Sequence, residues 1–117
     1  MQFPANTVRI ITTGEQEARP IYEYVDGKRT DTIKRDDAGH ELYRVMGLPA
    51  VWNGEAVEVS LTLPRPFTLP AFSILVAKDG FVEVGARADG NFAQLRYAVT
   101  ASAVEAIGSY ADMLRLK

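Results

Sequence analysis

Apolar and polar positions alternate along most of the chain. The clearest stretch is 57–63, where Val57, Val59, Leu61 and Leu63 are separated by Glu58, Ser60 and Thr62. A period of two sends the two sets to opposite faces of a strand. One dry face and one wet face is the mark of an antiparallel sheet. Residues 7–12 (TVRIIT) and 20–25 (PIYEYV) also read as strands, being rich in β-branched or aromatic side chains. The segments 41–46, 71–77, 81–88 and 92–100 complete the set. Asp26-Gly27, Asp79-Gly80 and Asp89-Gly90 favour the positive backbone angles of tight turns. The last two predict hairpins. Pro64 and Pro66 mark a connection, since proline cannot donate to a ladder, and Gly85 is a candidate bulge position. The helical signal is confined to the C-terminal stretch. Ser102 to Glu105 has the form of a capping box, with Val104, Ile107, Ala111 and Leu114 along one face. Gly108 interrupts it, so a short helix and a strand followed by a tail both fit. Short strands at this spacing predict a small barrel or sandwich.

Composition narrows the function. The chain has 117 residues, 47% of them hydrophobic, which suits one domain spanning 1–117. No cysteine is present, which excludes a disulfide scaffold, a thiol nucleophile and cysteine-held metal. A reducing, cytoplasmic setting is expected. The longest nearly apolar run, 69–77, is far short of the roughly 20 residues of a spanning helix, so no membrane role is expected. The N-terminal sequence MQFPANTVRI does not read as a signal peptide. His40 is the single histidine, and no serine sits in a G-x-S-x-G elbow. Asp31, Asp36, Asp37 and Glu41 lack the spacing of an EF-hand loop. Gly27-Lys28-Arg29-Thr30 lacks the upstream glycine of a phosphate loop, Tyr22 standing in its place. No enzyme, metal or cofactor is expected. A β-barrel enzyme or sugar binder with a carboxylate pair is the least favoured reading.

The informative region is 19–44. Tyr22 and Tyr24 are two apart, so both rings leave one face of a strand. Lys28, Arg29, Lys34 and Arg35 follow in the next connection, and Tyr43 and Arg44 lie on the returning strand. Unpaired nucleic acid requires this mixture: rings stack on bases, worth about 1–3 kcal/mol each, and cations meet phosphates. The plainer reading is a soluble loop, because Asp26, Asp31, Asp36 and Asp37 alternate with the cations. A second patch sets Phe81, Glu83 and Arg87 on one strand face and Phe92, Gln94 and Arg96 on the next. It suits stacking or a dimer interface equally. Trp52, the single tryptophan, either borders the binding face or caps the core.

The run from Tyr22 to Asp31, an aromatic strand leading into Asp-Gly-basic-x-Thr-Asp, resembles a motif in short regulatory and uncharacterised reading frames of actinobacterial integrative and conjugative elements. It is similar, more loosely, to single-stranded-DNA-binding proteins of the OB type from conjugative transposons, one branch of which acts as a helicase processivity factor. The resemblance is specific over 19–46. It implies an all-β fold, a small five-stranded antiparallel OB-like barrel with long curved strands broken by bulges. It implies a non-catalytic, sequence-tolerant single-stranded-DNA-binding protein that assists replication or transfer, with DNA rather than RNA the expected strand. A relaxase, helicase or replication initiator, and a second copy of the chain, are the implied partners. Stacking falls to Tyr22, Tyr24 and Tyr43, and phosphate contact to Lys28, Arg29, Lys34, Arg35 and Arg44. Phe92 and Arg96 extend the surface. The Asp36-Asp37 pair departs from the pattern. The alternative is a protein-interaction or dimerisation module of the same kind of element. The net charge of −2 confines binding to one face.

Overall fold

The computed structural model describes residues 2–89 and 92–109, and within them the side chains of all but 87–89, 92–94 and 109. The strands are β1 (Gln2–Pro4), β2 (Arg9–Ile11), β3 (Gln16–Glu17), β4 (Arg19–Pro20), β5 (Tyr22–Val25), β6 (Lys28–Ile33), β7 (Tyr43–Trp52), β8 (Glu55–Leu63), β9 (Thr68–Leu69), β10 (Ser73–Lys78), β11 (Phe81–Asp89), β12 (Phe92–Thr100) and β13 (Ala103–Ser109). One 3-10 turn, Ala5–Thr7, joins β1 to β2. The protein is all-β, as its alternation predicts. Among the described residues no helix is long and apolar enough to cross a membrane.

The main sheet runs β1-β11-β12-β8-β7-β2-β10-β13, with β4 also on β7. All its pairs are antiparallel except β8 with β12, which is parallel. This order forces the sheet to curl. In a flat sheet β1 and β2 would lie five spacings apart, about 24 Å at about 4.8 Å each. The chain between them, Ala5 to Val8, reaches at most about 17 Å even when extended. The sheet is accordingly a strongly curled half-barrel. Its core lies inside the curl, where Val59, Leu61 and Leu63 of β8 meet Ile10, Leu48, Leu75, Val82 and Val99, all fully buried. Glu58, Ser60 and Thr62 take the outer face, as the period of two requires.

The expected count of five strands is not what the ladders give: eight strands form the path, and β4 is added. The physical reason is bending. β1–β2, β10–β11 and β12–β13 are each one run of chain broken at a corner. The corners lie side by side. The Ala5 N–H donates to the Gly80 carbonyl at 3.1 Å, and the Ser102 N–H to the Lys78 carbonyl at 3.1 Å.

The same corner corrects two further expectations. Asp79-Gly80 is no hairpin, because β10 and β11 pair with other strands and not with each other. A short C-terminal helix is replaced by β13, at least as far as Ser109; the continuation to Leu114 lies outside the described residues. Both members of the expected capping box are used across the ladder instead. The Ser102 hydroxyl donates to the Lys78 carbonyl at 3.3 Å, and Glu105 pairs with the Lys78 ammonium. The β11–β12 hairpin expected at 89–90 is present, with Asp89 opposite Phe92, and Gly90 itself lies outside the described residues.

A turn and a bulge set the shape of the β7–β8 pair. Asn53-Gly54, absent from the expected turns, closes β7 onto β8 with φ of 52° and 78°. The bulge is not at Gly85, which pairs in register with Arg96. It is in β7, where Val45 faces Leu61 and Leu48 faces Val59, leaving one extra residue on β7. Gly47 supplies the positive φ of 70° that this bulge needs. Trp52 sits on the core side. Its Nε1–H donates to Thr7 Oγ1 at 3.1 Å, and its ring meets Phe3 and Tyr97 edge-on at 5.1 and 5.6 Å.

Candidate nucleic-acid interface

β5 and β6 form a hairpin of their own, outside the main sheet. Asp26 and Gly27 close it with φ of 51° and 77°, the two positive angles of a type I′ turn. The irregular register beside Tyr22 is steadied by the Thr30 hydroxyl, which donates to the Glu23 carbonyl at 2.9 Å. Three main-chain bonds fix the hairpin's base. Ile21 N–H donates to Leu42, Lys34 N–H to Ile21, and Leu42 N–H to Lys34. β4 then ties the preceding residues to β7, with Arg19 opposite Arg44. The hairpin is thus an arm rooted beside the start of β7.

Between arm and sheet lies an open cleft of about 970 Å³, lined among others by Arg19, Tyr22, Tyr24, Arg29, Arg44 and Met46. A second cleft of about 580 Å³ continues across β7, β8 and β12, past Gly47, Glu58, Ser60, Leu95 and Arg96. Arg44 and Met46 border both, so the two clefts adjoin along β7 and together form the candidate groove. Tyr24 is 68% exposed on its wall. The Arg29 guanidinium lies 5.0 Å from the Tyr22 ring centroid, a cation–π contact that keeps ring and charge in the same wall. The bulge turns Met46 outward, 61% exposed, and Leu95 of β12 is 62% exposed at the far end.

The groove's charge differs in sign from the chain's. Among the described residues four arginines (Arg19, Arg29, Arg44, Arg96) and two glutamates (Glu17, Glu58) line it, which sums to +2 against −2 for the whole chain. Among the described residues no ion pair engages any of the four arginines.

The residues singled out from sequence divide accordingly. Tyr22, Tyr24, Arg29, Arg44 and Arg96 border the groove. Tyr43 does not. It shares the inner face of β7 with buried Val45 and packs against the core. Lys28 is exposed near the arm's tip, while Lys34 and Arg35 are exposed in the loop that follows. None of these three lines the groove. The side chain of Phe92 lies outside the described residues. Arg19, Met46, Glu58 and Leu95 belong to the groove and were not signalled by the sequence, because each depends on which strand its own strand lies beside. Among the described residues no group of three His, Asp or Glu side chains is placed to hold a metal ion.

The loop with the Asp36-Asp37 pair is a self-contained turn. Asp36 Oδ1 accepts from the His40 N–H at 2.9 Å and the Ala38 N–H at 3.0 Å, and the His40 ring lies 3.5 Å from the other oxygen. The His40 N–H is the main influence holding the Asp36 carboxyl below its ordinary value of 3.8. A lowered pKa means the charged form steadies the loop above that value, and the contribution is lost as pH falls through the lowered pKa. The Ala38 and His40 amide resonances are therefore expected to show an acid titration step whose midpoint lies below the ordinary carboxyl value of 3.8. An NMR titration checks this, and in Asp36→Asn the step should vanish.

No family model, curated protein or solved structure matches the chain.

Proposed function

We propose that this protein binds single-stranded DNA along the groove between the arm and the β7–β8–β12 face. It does no chemistry on the strand. The observation that carries this reading is a groove whose described lining sums to +2 on a chain of −2, walled by Tyr22 and Tyr24. Base faces stack on the rings and phosphates meet the arginines. Sequence tolerance follows, because stacking and phosphate contact carry little base information.

The fold reading goes with it: a five-stranded barrel of the OB type. Its support is that 2–11, β7, β8, 73–89 and 92–109 are five runs, three of them bent at the corner, and that following the neighbours round the ring returns to the first run. Five runs cannot alternate direction all the way round, so a closed ring needs one parallel pair. β8 with β12 meets that need. In such barrels the face of the second and third strands and the loop after the first bind oligonucleotides. Here those are the β7–β8 face and the loop that carries the arm. The setting we propose is a cytoplasmic accessory of a conjugative element, working beside a relaxase, helicase or replication initiator. Exposed Met46 and Leu95 favour a second reading, a protein partner in the same groove.

Salt dependence separates the two. Four arginines on phosphates give a slope of about −3 in log K against log salt, at about −0.7 per single-strand phosphate. Fluorescence anisotropy with an oligo-dT of about 15 nucleotides, within the span of one OB fold, should show about 50-fold weaker binding at about 200 mM than at about 50 mM salt. No binding at the lower salt overturns the reading.

A further inference from the structure

Glu17 and Glu58 both have the wrong sign for a phosphate track, and Glu58 is the one in the cleft across β7, β8 and β12. Glu58 stands on the outer face of β8, in the cleft it shares with Arg44 of β7 and Arg96 of β12. Among the described residues no ion pair joins it to either arginine. Its carboxylate leans over the β7 bulge: a methyl group on Gly47 would stand 3.9 Å from Glu58 Oε1. The glycine thus leaves open the space in front of this carboxylate.

A carboxylate repels phosphate oxygens, so its partner on a bound strand is a base. Ionised, it only accepts hydrogen bonds, through two oxygens. The matching edge carries two adjacent N–H donors. Among unpaired bases only guanine offers them, at N1–H and the N2 amino group. Cytosine and adenine set one amino group beside an acceptor nitrogen. Thymine and uracil set one N–H between two carbonyl oxygens that the carboxylate repels. Ser60, two residues along the same face of β8, adds a hydroxyl donor to the same cleft, the complement of guanine O6.

We propose that Glu58 makes one position of the groove guanine-selective, on a path that is otherwise indifferent to sequence. The inference rests on the protein binding unpaired nucleic acid in this groove. Stacking on Tyr24 and contact with Met46 and Leu95 serve every base; the Glu58 carboxylate discriminates.

The test uses the full chain and three oligonucleotides of about 15 nucleotides: plain oligo-dT, the same strand with one central guanine, and the same strand with deoxyinosine there. Inosine keeps N1–H and O6 and lacks the N2 amino group. One guanine should tighten binding about tenfold over plain oligo-dT, the discrimination of one bidentate contact. Inosine should lose most of that gain. Glu58→Gln should erase the preference and tighten plain oligo-dT binding severalfold, since a negative charge leaves the phosphate track. A wild-type protein that binds oligo-dT but gains nothing from guanine overturns the inference alone. So does a preference that survives in Glu58→Gln. Failure to bind any of the three strands overturns the nucleic-acid reading, and this inference with it.

Discussion

Replacing Tyr24 and Arg44 together with alanine is expected to weaken oligo-dT binding about a hundredfold. The two substitutions act through different physics. Tyr24 is the most exposed aromatic wall of the groove, and a base stacked on such a ring is worth about 1–3 kcal/mol. Arg44 borders both clefts, and a charged hydrogen bond to phosphate is worth about 1.5–3 kcal/mol. About 3 kcal/mol in total corresponds to the hundredfold loss. The single variants separate the two contributions. Tyr24→Ala should lower affinity and leave the salt slope unchanged. Arg44→Ala should lower affinity and make the slope shallower by about 0.7. Lys34→Ala with Arg35→Ala should have far smaller effects, because neither side chain lines the groove. If the loop pair matters as much as Tyr24 and Arg44, the strand follows a different path. Anisotropy across a salt series reads all of these, and an unchanged thermal melt shows that the fold is intact.

How much of this was legible in the sequence depends on the range of the interaction involved. The alternation in 57–63 marks β8 and its buried face because a period of two is a local property. Residues 92–100 delimit β12 for the same reason. The arm's aromatic pair and its Asp26-Gly27 turn were also local, and so readable. Asn53-Gly54 was readable too, being a strong short hairpin signal. What no local pattern carries is the partner. Asp26-Gly27 and Asp79-Gly80 are the same dipeptide. The first closes a hairpin and the second turns a corner, because the chain on either side of Gly80 is claimed by different neighbours. The capping box at 102–105 failed likewise: Lys78 offers both of its members a partner across the ladder. The groove needed still more. Arg44, Glu58 and Arg96 become neighbours only through the parallel β8–β12 contact and the β7 bulge. Periodicity predicts neither.

Gly80→Val is the substitution expected to damage the fold most, and it tests whether the corner holds the curled sheet together. A Cβ at residue 80 would lie 1.9 Å from the Thr100 carbonyl oxygen and 2.5 Å from Ala101 Cα. Both are backbone atoms of the neighbouring run, so no side chain can swing aside. The strand would have to move, and with it the Ala5 bond to the Gly80 carbonyl. All three bent runs meet here, so the strain reaches β1, β10–β11 and β12–β13 together. Overpacking of a tight site costs typically 1–3 kcal/mol, and backbone contact puts this one at the upper end, about 3 kcal/mol. In a domain of this size that lowers Tm by on the order of 10 °C. Gly85→Ala, within β11 of the same run, is the comparison. Nothing lies within 4 Å of a Cβ at residue 85 and its φ is not positive. Removing glycine's extra freedom in a strand should stabilise slightly, by about 0.5–1 kcal/mol. Calorimetry on the two variants should therefore move Tm in opposite directions. If both shift it equally, Gly80 matters only as a flexible residue, and the close approach of the two runs at the corner carries no weight in holding the sheet curled.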